Sequence, residues 1–371
     1  YVENVTDKAG TEWETKLDGA VINKPFFFVN HNTGATEIVV QDDRNNLYLI
    51  NAAGRVLWKI PLNERINGNI YMIDFYGNRK NQIFFSGSEY LYIIDRNGNY
   101  VEKYPVKLRV PASGPASIFD YENNHDYRIF VPGDDRIIYV YDKYGRVVKG
   151  WNPFKTNNPV RSEIKFFRVS GKDYIVVADE NSVYFLDRTG NKRLMITEPV
   201  ICARGSEMRL DRGTETSLVF SAPDGTVQFV SFDGKVKKIT LNSFNFDHTF
   251  DFFDIDGDGY GEFIFIDKSK LYLYDHDNTE LFVRDFGNEN LIGPINFIFS
   301  TVNRKIGIYD AFTKHIFLVD KRGNDMKGFP ISGYSKFSVG KFSEKGGFHL
   351  ITGGSDNFLY NYKLNIIEDN N

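Results

Sequence analysis

Glu37–Leu62 reads EIVVQDDRNNLYLINAAGRVLWKIPL. An apolar run ends in a polar turn, a second apolar run follows, and a turn holding Gly54 leads into a third. Short runs rich in β-branched and aromatic residues, punctuated by turn formers, read as antiparallel strands joined by hairpins. The pattern recurs downstream as NQIFFSGSEYLYIIDRNGNYVEKYPV, YRIFVPGDDRIIYVYDKYGRVVKGW, YIVVADENSVYFLDRTGNKRL, SLVFSAPDGTVQFVSFDGKVKKITL, EFIFIDKSKLYLYDHDNTELFV and KIGIYDAFTKHIFLVDKRGNDMKGF. The turn residue falls at Gly54, Gly98, Gly145, Gly190, Gly234, Asn278 and Gly323, in steps of 44, 47, 45, 44, 44 and 45. Glycine and asparagine are the residues that accept the positive φ of a tight hairpin. A further short strand precedes each copy, as at 69–74, 116–121 and 249–254.

Four antiparallel strands repeated about every 44 residues are the signature of a propeller blade. The fold expected is therefore all-β, an eight-bladed β-propeller of four-stranded blades, with seven blades the alternative if one unit is irregular. An open β-solenoid fits less well, because its coils are shorter. The eighth unit runs from Lys336 to Tyr362 and lacks its last strand. Thr11–Leu17, TEWETKL, matches Val56–Leu62, VLWKIPL, with Trp13 opposite Trp58. Pairing this N-terminal strand into the last blade removes a free edge. The domain reading is one propeller over 11–364, with a polar lead at 1–10 and a polar tail at 365–371. A monomer is expected.

The 371 residues include 33 Phe and 22 Tyr, which favour half-buried pleated surface. A formal charge of −4 gives no general attraction to nucleic acid. No apolar run approaches the roughly 18 residues of a membrane-spanning helix. The single cysteine, Cys202, excludes an intrachain disulfide and any CxxC motif. The chain begins at Tyr1, which reads as a mature form or a piece cut from something longer.

Leu47–Ile60, LYLINAAGRVLWKI, resembles the PQQ-like propeller repeat, in which a Gly precedes a Trp by four positions. Asp254–Glu262, DIDGDGYGE, and Lys327–Pro330, KGFP, resemble FG-GAP or VCBS-type repeats. Those repeats carry an acidic loop between the first two strands of a blade. The likeness implies a structural calcium held by Asp254, Asp256, Asp258 and Glu262. The Tyr260 carbonyl would add an oxygen, since calcium takes six to eight. Asp254, Asp256 and Asp258 stand at alternating positions, and four carboxylates so close repel one another without a cation. The full twelve-residue EF-hand is excluded, because its last ligand position falls on Phe265. Corresponding loops elsewhere, DFYGNRKN, DYENNHDY and VSGKDY, lack the carboxylate set.

No catalytic residue is assigned. None of the six histidines stands in HxH or HExxH, and Walker A, GxGxxG and GxSxG are absent. Ser162 and Lys165 have serine–lysine spacing, but on a strand they face opposite sides. PQQ is not expected, since one cysteine excludes the vicinal disulfide often found in its dehydrogenases. Acidic residues recur at the turns between second and third strands, among them Asp42, Asp135, Asp179 and Asp310. Arg109 and Arg161 share that face, giving a mixed-charge surface suited to a protein partner. The expected function is a non-enzymatic binding or scaffolding module for a protein or glycan, extracytoplasmic, in an exported or envelope protein. The alternative is a glycan-active lyase or hydrolase, with polar residues converging on a central channel.

Overall fold

Each run of alternating apolar residues becomes a strand whose inward side chains pack against the next sheet. The computed structural model describes residues 10–213 and 215–366. The chain is an eight-bladed β-propeller. Among the described residues the only helical element is a 3-10 turn at Ser355–Asn357. Among the described residues no helix is long and apolar enough to cross a membrane, which says nothing about β-barrels. Residues 1–9 and 367–371, most of the expected lead and tail, lie outside the described residues.

The chain divides into two compact units, 1–62 with 249–371, and 63–248. The first holds blades 1, 6, 7 and 8. Blade 1 is Phe26–Val29, Thr36–Gln41, Asn46–Ile50 and Val56–Pro61. Blade 6 runs from Thr249–Phe253 through Glu262–Asp267 and Lys270–Tyr274 to Glu280–Asp285. Blade 7 runs from Leu291–Ile298 through Arg304–Asp310 and His315–Val319 to Ile331–Ser332. Blade 8 has Phe337–Lys341, Phe348–Gly353 and Phe358–Lys363, and its fourth strand is the N-terminal Thr11–Lys16. Thr15 pairs with Leu359 and Lys16 with Phe358, so the expected split blade forms. The Trp13 indole packs on Phe342 at 6.3 Å between centroids, and its Nε1 donates to the Ala52 carbonyl at 2.9 Å. Gly54 has a φ of +77°, and a Cβ there would meet the Trp13 ring at 2.8 Å. The turn glycine thus answers both the backbone twist and the close approach of the closing strand.

The second unit holds blades 2 to 5. Blade 2 runs from Tyr71–Ile73 to Val106–Lys107, and blade 3 from Ser117–Phe119 to Phe154–Lys155. Blade 5 runs from Arg209–Asp211 to Val236–Ile239. Blade 4 pairs only three strands, Lys165–Val169, Lys172–Ala178 and Val183–Leu186. The first strands of blades 2 and 3 are shorter than the expected 69–74 and 116–121. Asp74 and Asp120 end them by turning their carboxylates onto the N–H groups of Asn78 and Arg79, and of Asn124 and His125.

The cores lie between neighbouring sheets. Phe84, Leu91 and Ile93 of blade 2 pack on Ile129 and Val131 of blade 3. Ile38, Val40 and Ile50 of blade 1 pack on Ile351 and Leu359 of blade 8. Full burial of each such side chain is worth about 1.5–3 kcal/mol. At Gly190, with a φ of +85°, a Cβ would lie 2.2 Å from the Asn152 carbonyl oxygen. Gly190→Ala is expected to cost about 2–4 kcal/mol, from left-handed strain plus the clash. Urea unfolding checks this, and a change below 0.5 kcal/mol would contradict it.

Candidate functional site

The acidic loop joins the first and second strands of blade 6, where the sequence placed it. Asp254 works as the loop's organiser. Its carboxylate accepts the N–H of Gly257 at 2.6 Å and of Gly259 at 3.0 Å. Asp74 does the same job in blade 2, in a loop, DFYGNRKN, that carries no other acidic residue of its own. Glu262 closes the loop by accepting the Ile255 N–H at 2.6 Å, as Gln82 accepts that of Phe75 at 2.7 Å. The hairpin shape is therefore general to these blades, and the extra acids of blade 6 are what differ.

Oxygens of Asp254, Asp256 and Glu262 lie within 4.8 Å of one another. Two ligands of one calcium, each at about 2.3–2.6 Å, lie no farther apart than about twice that length, so the spacing fits one ion. Asp258 is outside this group; its Oδ1 accepts the Tyr260 N–H at 2.8 Å. The Tyr260 ring stacks on His276 at 4.7 Å. Burial, then the carboxylates of Asp256, Asp258 and Asp254, push the Glu262 carboxyl up to about 7, against the pull of the Ile255 N–H.

Two cations answer part of the charge. Arg304 pairs with Asp254 at 2.9 Å and also donates to its carbonyl oxygen. Lys321 stands 3.9 Å from Asp256. The repulsion read from the sequence is thus relieved only in part within the chain, and Glu262 still feels it. Neither cation was visible in the loop itself, since both come from blade 7, Arg304 fifty residues beyond Asp254 and Lys321 sixty-five beyond Asp256.

A second polar cluster lies at the starts of the first strands of blades 2, 4 and 5. Glu163 accepts Asn69 Nδ2, the Tyr71 hydroxyl at 3.3 Å and Lys165 Nζ at 3.1 Å. Lys165 also reaches Glu207 at 3.3 Å. Burial opposes the Lys165 charge, but Glu207 and Glu163 outweigh it and hold the ammonium above the ordinary lysine range. Sequence reading missed this network. Ser162 takes no part; its hydroxyl donates to the Ala178 carbonyl at 3.5 Å.

Among the described residues, a serine and a histidine meet at Ser221 Oγ, 2.9 Å from His248 Nε2. His248 Nδ1 must carry its proton toward the Asn245 carbonyl at 2.7 Å, leaving Nε2 to accept from the serine. Both residues are buried, at 0% and 1% exposure, so no substrate reaches the hydroxyl. Burial pushes the Cys202 thiol up to about 12, which keeps it from acting as a thiolate.

The turn aspartates are spent on the fold. Asp42 accepts the Tyr48 hydroxyl at 2.8 Å, Asp135 that of Tyr139 at 2.6 Å and Asp179 that of Tyr184 at 2.9 Å. Asp310 holds Asn288 and Thr313. At the opposite end of blades 2 and 3 lies an exposed aromatic surface. Tyr76 and Tyr144 both stand edge-on to buried Phe75, at 4.9 and 5.5 Å. The Arg146 guanidinium lies 5.0 Å over the Tyr144 ring, and Val147 is half exposed beside it.

No protein-family model matches the chain, and no curated protein is similar to it. Solved structures are similar in fold. BamB from Moraxella catarrhalis has a TM-score of 0.62 at 14% identity, over 96% of this chain and 100% of that one. BBS1N, in complex with ARL6DN, has a TM-score of 0.52 at 12% identity, over 96% of each chain. At these identities the likeness shows the propeller fold alone.

Proposed function

We propose that the chain is a non-enzymatic binding or scaffolding propeller that engages a protein partner through the surface around Tyr76, Tyr144, Arg146 and Val147. That surface carries the reading. Tyrosine and arginine are enriched in interface cores, because they offer rigid area and directed hydrogen bonds at small entropic cost. Buried Phe75 fixes both rings beforehand. The turn aspartates are committed to their own hairpins, which moves the proposed partner face to the other end of the blades. The similar propeller BBS1N binds its ARL6DN partner as a protein complex, which lends support by analogy of fold. A glycan is the alternative occupant of the same aromatic surface, and the protein acts as a monomer.

The proposal includes a structural calcium at Asp254, Asp256 and Glu262, completed by Asp258 and the Tyr260 carbonyl. Calcium would brace the hairpin of blade 6 and take no part in chemistry. A loop of this kind binds at the calcium levels found outside the cytoplasm, so the proposed setting is extracytoplasmic, in an exported or envelope protein.

The test is retention of a defined partner by the immobilised protein from an extract of its own cells. The double variant Tyr76→Ala, Tyr144→Ala is expected to retain at most a tenth as much while still unfolding in a single cooperative transition. Equal retention by the variant would remove this surface from the reading.

A further inference from the structure

Arg304 stands in blade 7 where Glu262 stands in blade 6. Each is the first residue of a second strand and pairs with the last residue of the first, Arg304 with Ile298 and Glu262 with Phe253. Gln82 and Arg128 hold the same place in blades 2 and 3, opposite Ile73 and Phe119. Gln82 and Glu262 accept backbone N–H groups of their own hairpins, and Arg128 grips Asp126 of its own. Among these four, only Arg304 reaches back into the hairpin of the preceding blade.

There the guanidinium meets Asp254 twice, at the carbonyl oxygen and at carboxylate Oδ2, the latter at 2.9 Å. Oδ2 also accepts the Gly259 N–H at 3.0 Å, which fills its two lone-pair sites. A cation that takes Oδ2 must displace one of these donors. Losing the Gly259 N–H undoes the turn, and losing Arg304 does not. A cation that takes Oδ1 instead shares the carboxylate with a guanidinium, and charges of one sign so close repel. The Arg304 side chain is 15% exposed, so water and salt screen it poorly. Its Nε is buried without a hydrogen-bond partner among the described residues. That donor regains water when the side chain swings out, so charge rather than a full set of bonds holds the seat. Glu262 shows what the arginine leaves unanswered. It is 2% exposed, it spends one oxygen on the Ile255 N–H, and its other oxygen has no partner among the described residues.

We propose that Arg304 is a built-in competitor of calcium at the blade 6 loop, and holds its affinity at least tenfold below what the same carboxylates would reach without it. The inference rests on the calcium reading above and adds what sets the strength of that site. With the ion absent, Arg304 ties the loop to blade 7 and offsets part of its charge. With the ion present, the arginine gives way. Weak binding of this kind matches the range of extracellular calcium modules, about 10⁻⁴–10⁻³ M.

The probe is calcium alone, titrated calorimetrically into the whole protein at pH 8. Arg304→Gln is expected to bind it at least tenfold more tightly than the parent. Lys321→Gln removes the same charge from a side chain that is 50% exposed and 3.9 Å from Asp256, and should shift affinity by less than about threefold. In the parent, the side-chain Nε–H resonance of Arg304, identified by its absence from Arg304→Lys, should move as calcium binds. That readout stands even where Arg304→Gln does not fold. Equal affinities of the parent and Arg304→Gln overturn the inference and leave the calcium reading standing, as does an Arg304 resonance unmoved at saturating calcium. Equal gains from Arg304→Gln and Lys321→Gln overturn it too, since net charge alone would then account for both. Binding by Arg304→Gln, with the parent untouched at tens of millimolar calcium, upholds the inference and sinks the calcium reading for this chain. Binding by neither protein sinks both.

Discussion

Replacing Trp13 by alanine is expected to destabilise the protein by about 3 kcal/mol, the lower end for loss of a large aromatic from a packed site, because the ring is only half buried. The effect has three parts. The ring leaves its contact with Phe342, and the Ala52 carbonyl loses its donor. The space above Gly54 is left unfilled, because no side chain can be supplied from that glycine. Trp13→Phe should recover most of the packing and lose only the hydrogen bond, about 1 kcal/mol. Deleting residues 10–17 goes further. It strips the pairing partner from Phe358–Lys363 and removes Leu17, which is 3% exposed, from the core. The exposed edge of a long strand invites association between molecules. The expected result is loss of a single cooperative urea transition, with aggregation on heating, partly reversed by adding a peptide of residues 10–18. A Trp13→Ala transition within 0.5 kcal/mol of the parent would show that the closing strand is held by its backbone alone.

That Trp13 marks the closing strand was readable because its match to Trp58 lies in the local pattern of a fourth strand. The same holds for the blades. Gly54, Gly98, Gly145, Gly190, Gly234, Asn278 and Gly323 all take positive φ, between 70° and 95°. A hairpin's needs are met by residues beside it, so sequence shows them directly. The network of Asn69, Tyr71, Glu163 and Lys165 was hidden for the opposite reason. Glu163 meets partners more than ninety residues away, and nothing near it in sequence distinguishes an acid at the centre of a network from a solvated one. Arg304 on Asp254 is the same kind of case. Blade 4 misled in another way: NKRLMITEPV has the short apolar run of a strand, but Leu194 and Ile196 spend it on the core with blade 5. Alternation reports which side chains are buried, and not which backbone they pair with.

The loop at Asp254–Glu262 gives the second large expected effect, and it has opposite signs with and without metal. The folded Glu262 carboxyl sits at about 7 against an ordinary 4.5, so the folded state holds this proton more tightly than the unfolded chain does. Stability from that difference is fully present below pH 4.5 and is lost as pH rises through 7. In EDTA at pH 8, Glu262→Gln should therefore stabilise the protein, by about 1–2 kcal/mol once solvent screening around the loop is allowed for. At pH 4.5 it should change little. Gln82 shows that a glutamine in this position still accepts the backbone N–H that shapes the turn. Calcium reverses the order. It requires the ionised carboxylate and stabilises by about 2.7 kcal/mol at a hundred times its dissociation constant. The parent should then gain on addition of calcium at pH 8, and Glu262→Gln should gain much less, having lost a charged ligand. Melting curves of both proteins at the two pH values, in EDTA and in millimolar calcium, separate the terms. A parent indifferent to calcium removes the metal and leaves Arg304 and Lys321 as the loop's only counter-charges. A variant with no advantage in EDTA at pH 8 shows that these two cations already neutralise the loop, so that Glu262 ionises without cost.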